Sequence, residues 1–213
     1  MASRLEERLV RRSERAGLGL TAVQASEIAV YLGLLAKWNA KINLTSLPLE
    51  PATDAAIDRL VVEALAAERL VEPGARLAID IGSGGGSPAV PIKVLRRDLG
   101  FVLVESKVRK CAFLREVVRE LDLEHVEVAN QRLEELLARP DLHESAEVVT
   151  LRAVRTDGRL WKSLQALVRA GGRVVHFGSA STLHGPVLPP FRVTATVPVA
   201  STGTVLTVAT RLT

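Results

Sequence analysis

One stretch constrains the fold of this chain more than any other: Leu77 to Pro91, LAIDIGSGGGSPAVP. A short apolar run, Leu77 to Ile81, is interrupted by Asp80 and followed by Gly82, Gly84, Gly85 and Gly86. Ser87 and Pro88 come next, an N-cap residue and a residue suited to the first helical position. The pattern predicts strand, glycine turn, helix start. A glycine turn lets a ligand approach the backbone closely, and in α/β folds it holds a nucleotide-like cofactor at the carboxyl end of the first strand.

Beyond the turn, strand and helix patterns alternate. Strands are expected at 77–81, 101–104, 125–129, 147–151 and 173–177, and helices at 88–97, 107–121, 133–138 and 157–170. Gly171-Gly172 is expected to turn the last helix into its strand. This spacing specifies a parallel sheet with helices on both faces. The tail departs from it: Phe191–Val197 and Val205–Thr210 are β-rich with no helix between, which reads as a closing hairpin turning near Ser201-Thr202-Gly203. Ser179–Pro190 reads as loop. Before the turn lies helix alone. Residues 3–15 are amphipathic. Thr21 with Gln24 fits a capping box for a second helix carrying Ile28, Tyr31, Leu32, Leu35 and Trp38 at helical spacing, and Thr53 or Asp54 caps a third reaching about Leu70. The division expected is a helical extension, 1–73, and an α/β core, 74–213.

Composition excludes several classes. Of 213 residues 47% are hydrophobic and 24% charged, an ordinary globular balance, but only 3% are aromatic, so aliphatic side chains must build the core. The single Cys111 allows no internal disulfide and reads as a core side chain. With no signal-peptide pattern, a cytoplasmic location is expected. No apolar run approaches the ~20 residues of a membrane span. His125, His143, His176 and His184 lie too far apart for metal-ligand spacing, so no metal is expected. The net charge of +4 is compatible with a polyanionic partner.

Two cofactor classes use such a turn. Dinucleotide oxidoreductases require G-x-G-x-x-G, and here Ser87 stands where the third glycine belongs. Asp80 before the turn is also unwelcoming to a pyrophosphate. S-adenosylmethionine carries a sulfonium and an ammonium group and no phosphate, so an acidic strand end suits it better. Glu105, ending the second strand, is placed for ribose hydroxyls in either class. The closing hairpin favours a methyltransferase.

Further residues along the chain make the resemblance specific. They are Leu35 through Trp38-Asn39 to Asn43-Leu44-Thr45, Asp80-Ile81-Gly82-Ser83-Gly84-Gly85-Gly86, and Val104-Glu105-Ser106 with Lys110 and Phe113-Leu114. Arg132-Leu133-Glu134-Glu135 and Arg152-Ala153 complete the set. The chain resembles the RsmG/GidB family, the small-subunit (16S) rRNA guanine-N7 methyltransferases. That resemblance implies a class I, Rossmann-like methyltransferase with a seven-stranded, mostly parallel sheet and a C-terminal β-hairpin. It implies S-adenosyl-L-methionine as cofactor, lined by Gly82, Gly84 and Ser87. Glu105 would meet the ribose, Leu133 and Glu134 flank the adenine, and Arg152 stand near the methionine or the incoming base. Arg132, Arg152, Lys107 and Lys110 are the expected RNA contacts, and 16S rRNA in the small ribosomal subunit or an assembly intermediate is the expected partner of a monomer. Basic residues also cluster at Arg109, Arg115 and Arg119 and at Arg155, Arg159 and Lys162, where interleaved acids equally describe a solvated face. Trp38 and Trp161 fit the core better than a stacking platform.

Five residues depart from the family pattern. Ser87-Pro88-Ala89 replaces Leu-Pro-Gly, Phe177-Gly178 replaces Lys-Gly, Gly203 stands where an arginine is usual, and Arg59 where a histidine is common. The missing lysine and arginine are substrate-side charges. They keep two rival readings open: a methyltransferase of the same fold with another acceptor, and a non-catalytic cofactor-binding ribosome-associated protein.

Overall fold

A computed structural model describes residues 2–178, 186–199 and 202–213. Of the expected loop Ser179–Pro190, residues 179–185, His184 among them, fall outside the described residues, as does Ser201 of the expected hairpin turn.

The helices begin where side chains can satisfy the first free N–H groups. Helix α1 (Arg4–Arg15) is capped reciprocally by Ser3 and Glu6, and α2 (Ala22–Asn39) by Thr21 and Gln24. Each such cap is worth about 0.5–2 kcal/mol. Thr53 caps a third helical run made of α3 (Asp54–Ile57), a π-turn (Asp58–Val62) and α4 (Glu63–Glu68). The π-turn adds one residue per turn and re-aims the side chains around it. Arg12 of α1 grips Asp58 through both Nε and Nη2, while Arg8 and Arg12 bond Asp54. Asp58 is buried, so this pair ties α1 to the π-turn away from water.

The sheet comprises β1 (Leu77–Ile81), β2 (Gly100–Val104), β3 (Val126–Ala129), β4 (Ala146–Arg152), β5 (Val168–Gly178), β6 (Phe191–Val199) and β7 (Thr204–Arg211). Its order is β3-β2-β1-β4-β5-β7-β6. The first five strands are parallel, and β7 pairs antiparallel with both β5 and β6. Helices α5 (Ala89–Leu95), α6 (Val108–Glu120), α7 (Leu133–Leu136) and α8 (Gly158–Leu167) connect the parallel strands, with one 3-10 turn at Pro140–Leu142. Strand order reverses between β1 and β4, and ligands bind outside the carboxyl ends of strands at such a point.

Alternation along the strands sorts the core into two faces. Ala78, Leu103, Val148 and Val175 pack with α2, α3, α4, α5 and α6, so the N-terminal helices share a core with the sheet. Ile79, Val102, Val149 and Val174 pack with α7 and α8. Asp80, Thr150 and Arg152 share the parity of Ala78 and Val148, so they face the N-terminal helices.

Most boundaries shift by one to three residues, and two differences have a clear physical reason. Ser87 does not cap the helix after the glycine turn: its hydroxyl donates to the Leu60 carbonyl at 2.7 Å, and α5 starts at Ala89 without a side-chain cap. The helix expected to reach residue 170 stops at Leu167, and β5 begins at Val168. The Val168 side chain is needed in the sheet core, pairing with Ala146 before a register shift absorbs the glycines.

Candidate functional site

At the carboxyl ends of β1 and β4 lies a cavity of about 470 Å3. One wall is the glycine turn. Gly84 and Gly86 hold positive φ (+49° and +87°), a region costly to side-chained residues. A Cβ on Gly86 would also stand 3.0 Å from Val90 and 3.3 Å from Tyr31. Tyr31, wholly buried on α2, donates its hydroxyl to the Gly85 carbonyl at 2.6 Å and pins the turn. Burial pushes that phenol above its ordinary range.

The facing wall is the segment Leu44–Leu47. Asn39 shapes it, its side-chain oxygen accepting from the Leu44 and Thr45 N–H groups at 2.9 Å each. The neighbouring Trp38 fastens α2 to α6, donating to Glu116 at 3.0 Å and meeting Phe113 edge-on. The Trp-Asn and Asn-Leu-Thr blocks thus build a wall, and Trp38 lies half-buried in a helix contact.

Arg152 borders the cavity, and Asp80 is buried on β1 just before the glycine turn. Asp80 accepts from the Thr150 hydroxyl at 2.6 Å through Oδ1, while its buried Oδ2 has no protein partner. Burial raises its pKa above the usual carboxylate range, against the opposing pull of Thr150, Ser83 and Arg152. Arg152 lies over the Phe177 ring, 4.3 Å from its centre. Its Nη1 reaches the Arg59 carbonyl at 2.6 Å and Glu63 at 3.0 Å, but its buried Nε and Nη2 have no protein partner. Desolvation draws its pKa down to about 10, which leaves it cationic at neutral pH. Glu63 is wholly buried and serves two arginines: Arg59 Nη1 lies at 3.0 and 3.1 Å from its two oxygens. Thr204 completes the network, accepting from Arg59 and donating to Glu63, each at 2.5 Å.

The sequence-predicted residues divide accordingly. Gly82, Gly84, Ser87, Lys110 and Arg152 border the cavity. Glu105 closes the turn from below: its carboxylate accepts from Gly84 N–H at 3.1 Å and Lys107 N–H at 2.8 Å, leaving acceptor capacity on both oxygens. Lys107 is exposed at the head of α6. Arg132, Leu133 and Glu134 sit beyond β3 at the start of α7, away from the cavity lining. Leu133 packs on the α7–α8 core, and Arg132 and Glu134 are exposed. Sequence reasoning missed Tyr31 and Asn39 as supports of the walls, and Glu63 as the buried partner of two arginines. The signal for Glu63 was a lone carboxylate in the run Leu60-Val61-Val62-Glu63-Ala64-Leu65.

The residues present fit S-adenosylmethionine. Backbone is approachable at Gly82 and Gly84, a carboxylate follows β2, and Arg152, which borders the cavity, keeps donors without a protein partner, as does an acceptor on the buried Asp80, groups that suit an amino-acid carboxylate and ammonium. Among the described residues, no group of three or more His, Cys, Asp or Glu could hold a metal ion, and no helix is long and apolar enough to cross a membrane.

Strand order, closing hairpin and a glycine-walled cavity at the switch point define a class I methyltransferase fold. Solved structures share it. A SAM-dependent methyltransferase from Aquifex aeolicus superposes with a TM-score of 0.55 at 15% identity, covering 75% of this chain and 94% of its own. P. horikoshii TYW2 in complex with MeSAdo gives 0.56 at 13% identity, covering 79% and 66%. The family model GidB, rRNA small subunit methyltransferase G, matches residues 24–184, and the chain belongs to that family. Ribosomal RNA small subunit methyltransferase G of Roseiflexus sp. (strain RS-1) is 36% identical over 159 residues, 75% of this chain and 67% of the relative. Its namesake in Roseiflexus castenholzii is 36% identical over 167 residues, 78% and 70%, and that of Shigella flexneri 37% over 128 residues, 59% and 58%.

Proposed function

We propose that this chain transfers a methyl group from S-adenosylmethionine to N7 of a guanine in small-subunit (16S) rRNA. The observation that carries the reading is the cavity at the β1–β4 switch point, walled by the glycine turn and Leu44–Leu47 and bordered by Arg152. Gly82 and Gly84 present backbone to the cofactor, with Ser87 at the far end of the turn. Glu105 takes its ribose hydroxyls, Leu133 and Glu134 flank the adenine side, and Asp80 and Arg152 hold its amino-acid end. Bound there, S-adenosylmethionine supplies a methyl group on a cationic sulfur.

Guanine N7 carries a free lone pair and gives up no proton when methylated, so the reaction needs no general base. Catalysis rests on holding N7 in line with the methyl. A stacked base must first be exposed, which favours an unpaired rRNA loop or an assembly intermediate. Arg132, Lys107 and Lys110 contribute phosphate contacts. In this reading residues 1–73 are an extension that shapes the RNA side of a 74–213 core, and the protein acts as a cytoplasmic monomer.

Calorimetric binding of S-adenosylmethionine and of NAD, with transfer of labelled methyl to small ribosomal subunits lacking the modification, tests the reading. Tight S-adenosylmethionine binding with transfer is expected. Binding without transfer would support the rival cofactor-binding role, and NAD binding in its place would reverse the choice of cofactor.

A further inference from the structure

A second cavity, about 760 Å3, opens beside the first at the carboxyl ends of β4 and β5. Arg59, Ala153 and Val154 border both. Arg155, Phe177 and Gly203 line the second alone, and its described lining carries two arginines and no carboxylate. Such a cavity selects an anionic ligand.

Arg59 is built to meet one. All its side-chain bonds run through Nη1, to Glu63 and Thr204. Nε and Nη2 make no bond among the described residues, and the side chain is 38% exposed. Glu63 is shared between Arg59 and Arg152, so it neutralises the half-exposed Arg59 only in part. The Glu63–Thr204 anchor fixes one edge of the guanidinium and leaves the other presented as a planar fork, the geometry that matches phosphate. Phe177 offers no face for stacking, since it is 2% exposed and one face lies under Arg152. The wall therefore reads charge and not base shape.

We propose that Arg59 binds a backbone phosphate of the acceptor RNA strand in this second cavity and so fixes the strand against the cofactor site. The proposal rests on the rRNA reading above. It also relocates to the third helical run the positive charge that Phe177 and Gly203 do not supply.

The test is binding of unmodified small ribosomal subunits across a salt series, for the wild type, Arg59→Gln, Arg59→Lys and Thr204→Val, with S-adenosylmethionine affinity measured alongside. Loss of one phosphate contact predicts about tenfold weaker subunit binding for Arg59→Gln, and a log K versus log salt slope shallower by about 0.7–0.9. Arg59→Lys restores the slope and Thr204→Val keeps it, while S-adenosylmethionine affinity reports separately on the Glu63–Arg152 network that these residues share. A wild-type slope in Arg59→Gln overturns the proposal, because a contact to a base oxygen would weaken binding without changing the slope. So does a Thr204→Val variant that reproduces Arg59→Gln, which would make Arg59 a brace for the β6–β7 hairpin. A wild type that binds S-adenosylmethionine but no subunits overturns the rRNA reading and this proposal together.

Discussion

Arg152 is the side chain on which the floor of the site turns. It is buried over Phe177 and tied to Glu63, yet keeps two donors free of protein partners. Arg152→Ala is expected to weaken S-adenosylmethionine binding and to lower methyl transfer at least about a hundredfold, because it removes a buried cation that positions the cofactor's amino-acid end. Its far-ultraviolet circular dichroism should stay native, and wild-type transfer rates in this variant would remove Arg152 from the site. Asp80 carries the opposite burden. Its raised pKa means that the folded chain holds this proton more tightly than the unfolded chain, so the charged form costs stability above that pKa. The cost fades as pH falls through it. Asp80→Asn keeps an oxygen for Thr150 and removes the charge. It should therefore melt higher than wild type near neutrality, by roughly 2–4 °C for each 1 kcal/mol recovered, and bind S-adenosylmethionine more weakly. Calorimetric melting at successively lower pH should show the gap closing in acid. An Asp80→Asn protein that melts lower at neutral pH would contradict this.

At the scale of elements, the site hangs on two supports that lie outside the glycine turn. Asn39 holds the Leu44–Leu47 wall by two hydrogen bonds to one oxygen. Asn39→Ala leaves both N–H groups without their partner, about 1–3 kcal/mol for each one kept from water. Amide exchange at Leu44 and Thr45 should accelerate and S-adenosylmethionine binding weaken, while exchange in the β1–β4 sheet is unchanged; protected amides at 44 and 45 would refute it. The second support is the Arg12–Asp58 grip on the π-turn, from which Arg59 projects and which Glu63, the first residue of α4, directly follows. Arg12→Ala strands a buried carboxylate and should cost about 3 kcal/mol in denaturant melts, and adding Asp58→Asn should recover part of it. Purely additive losses would mean that the pair contributes nothing as a pair.

These supports mark where sequence reading stops. The strand–glycine–helix unit at 77–95 is legible because period, turn residues and length all agree there. The π-turn is not, because Asp58 to Val62 has an ordinary helical pattern and the extra residue answers a partner 46 positions away. Ser87 misled for a related reason: it has the chemistry of a cap, but the Leu60 carbonyl brought alongside by the fold competes for its hydroxyl. Arg59, Phe177 and Gly203 could be read one by one as departures from a family pattern. Only the sheet, by setting Phe177 beside Arg152 and the hairpin over the third helical run, shows that they border one cavity.

For the whole molecule, the N-terminal helices are part of the sheet's core and also build half of the candidate site. Tyr31 and Asn39 on α2 shape the first cavity, and Arg59, which borders both cavities, and Glu63 lie on the third helical run. A helical extension that only decorated the sheet would leave the glycine turn unbraced and the buried Arg152 without its counterion. The central claim is a methyl transferred to guanine N7 of small-subunit rRNA, and its most direct measurement is labelled transfer from S-adenosylmethionine to small subunits lacking the modification, followed by nuclease digestion and mass spectrometry. The result expected is N7-methylguanine at a single rRNA position. Methyl found on another atom, on ribosomal protein, or nowhere despite bound S-adenosylmethionine would contradict it.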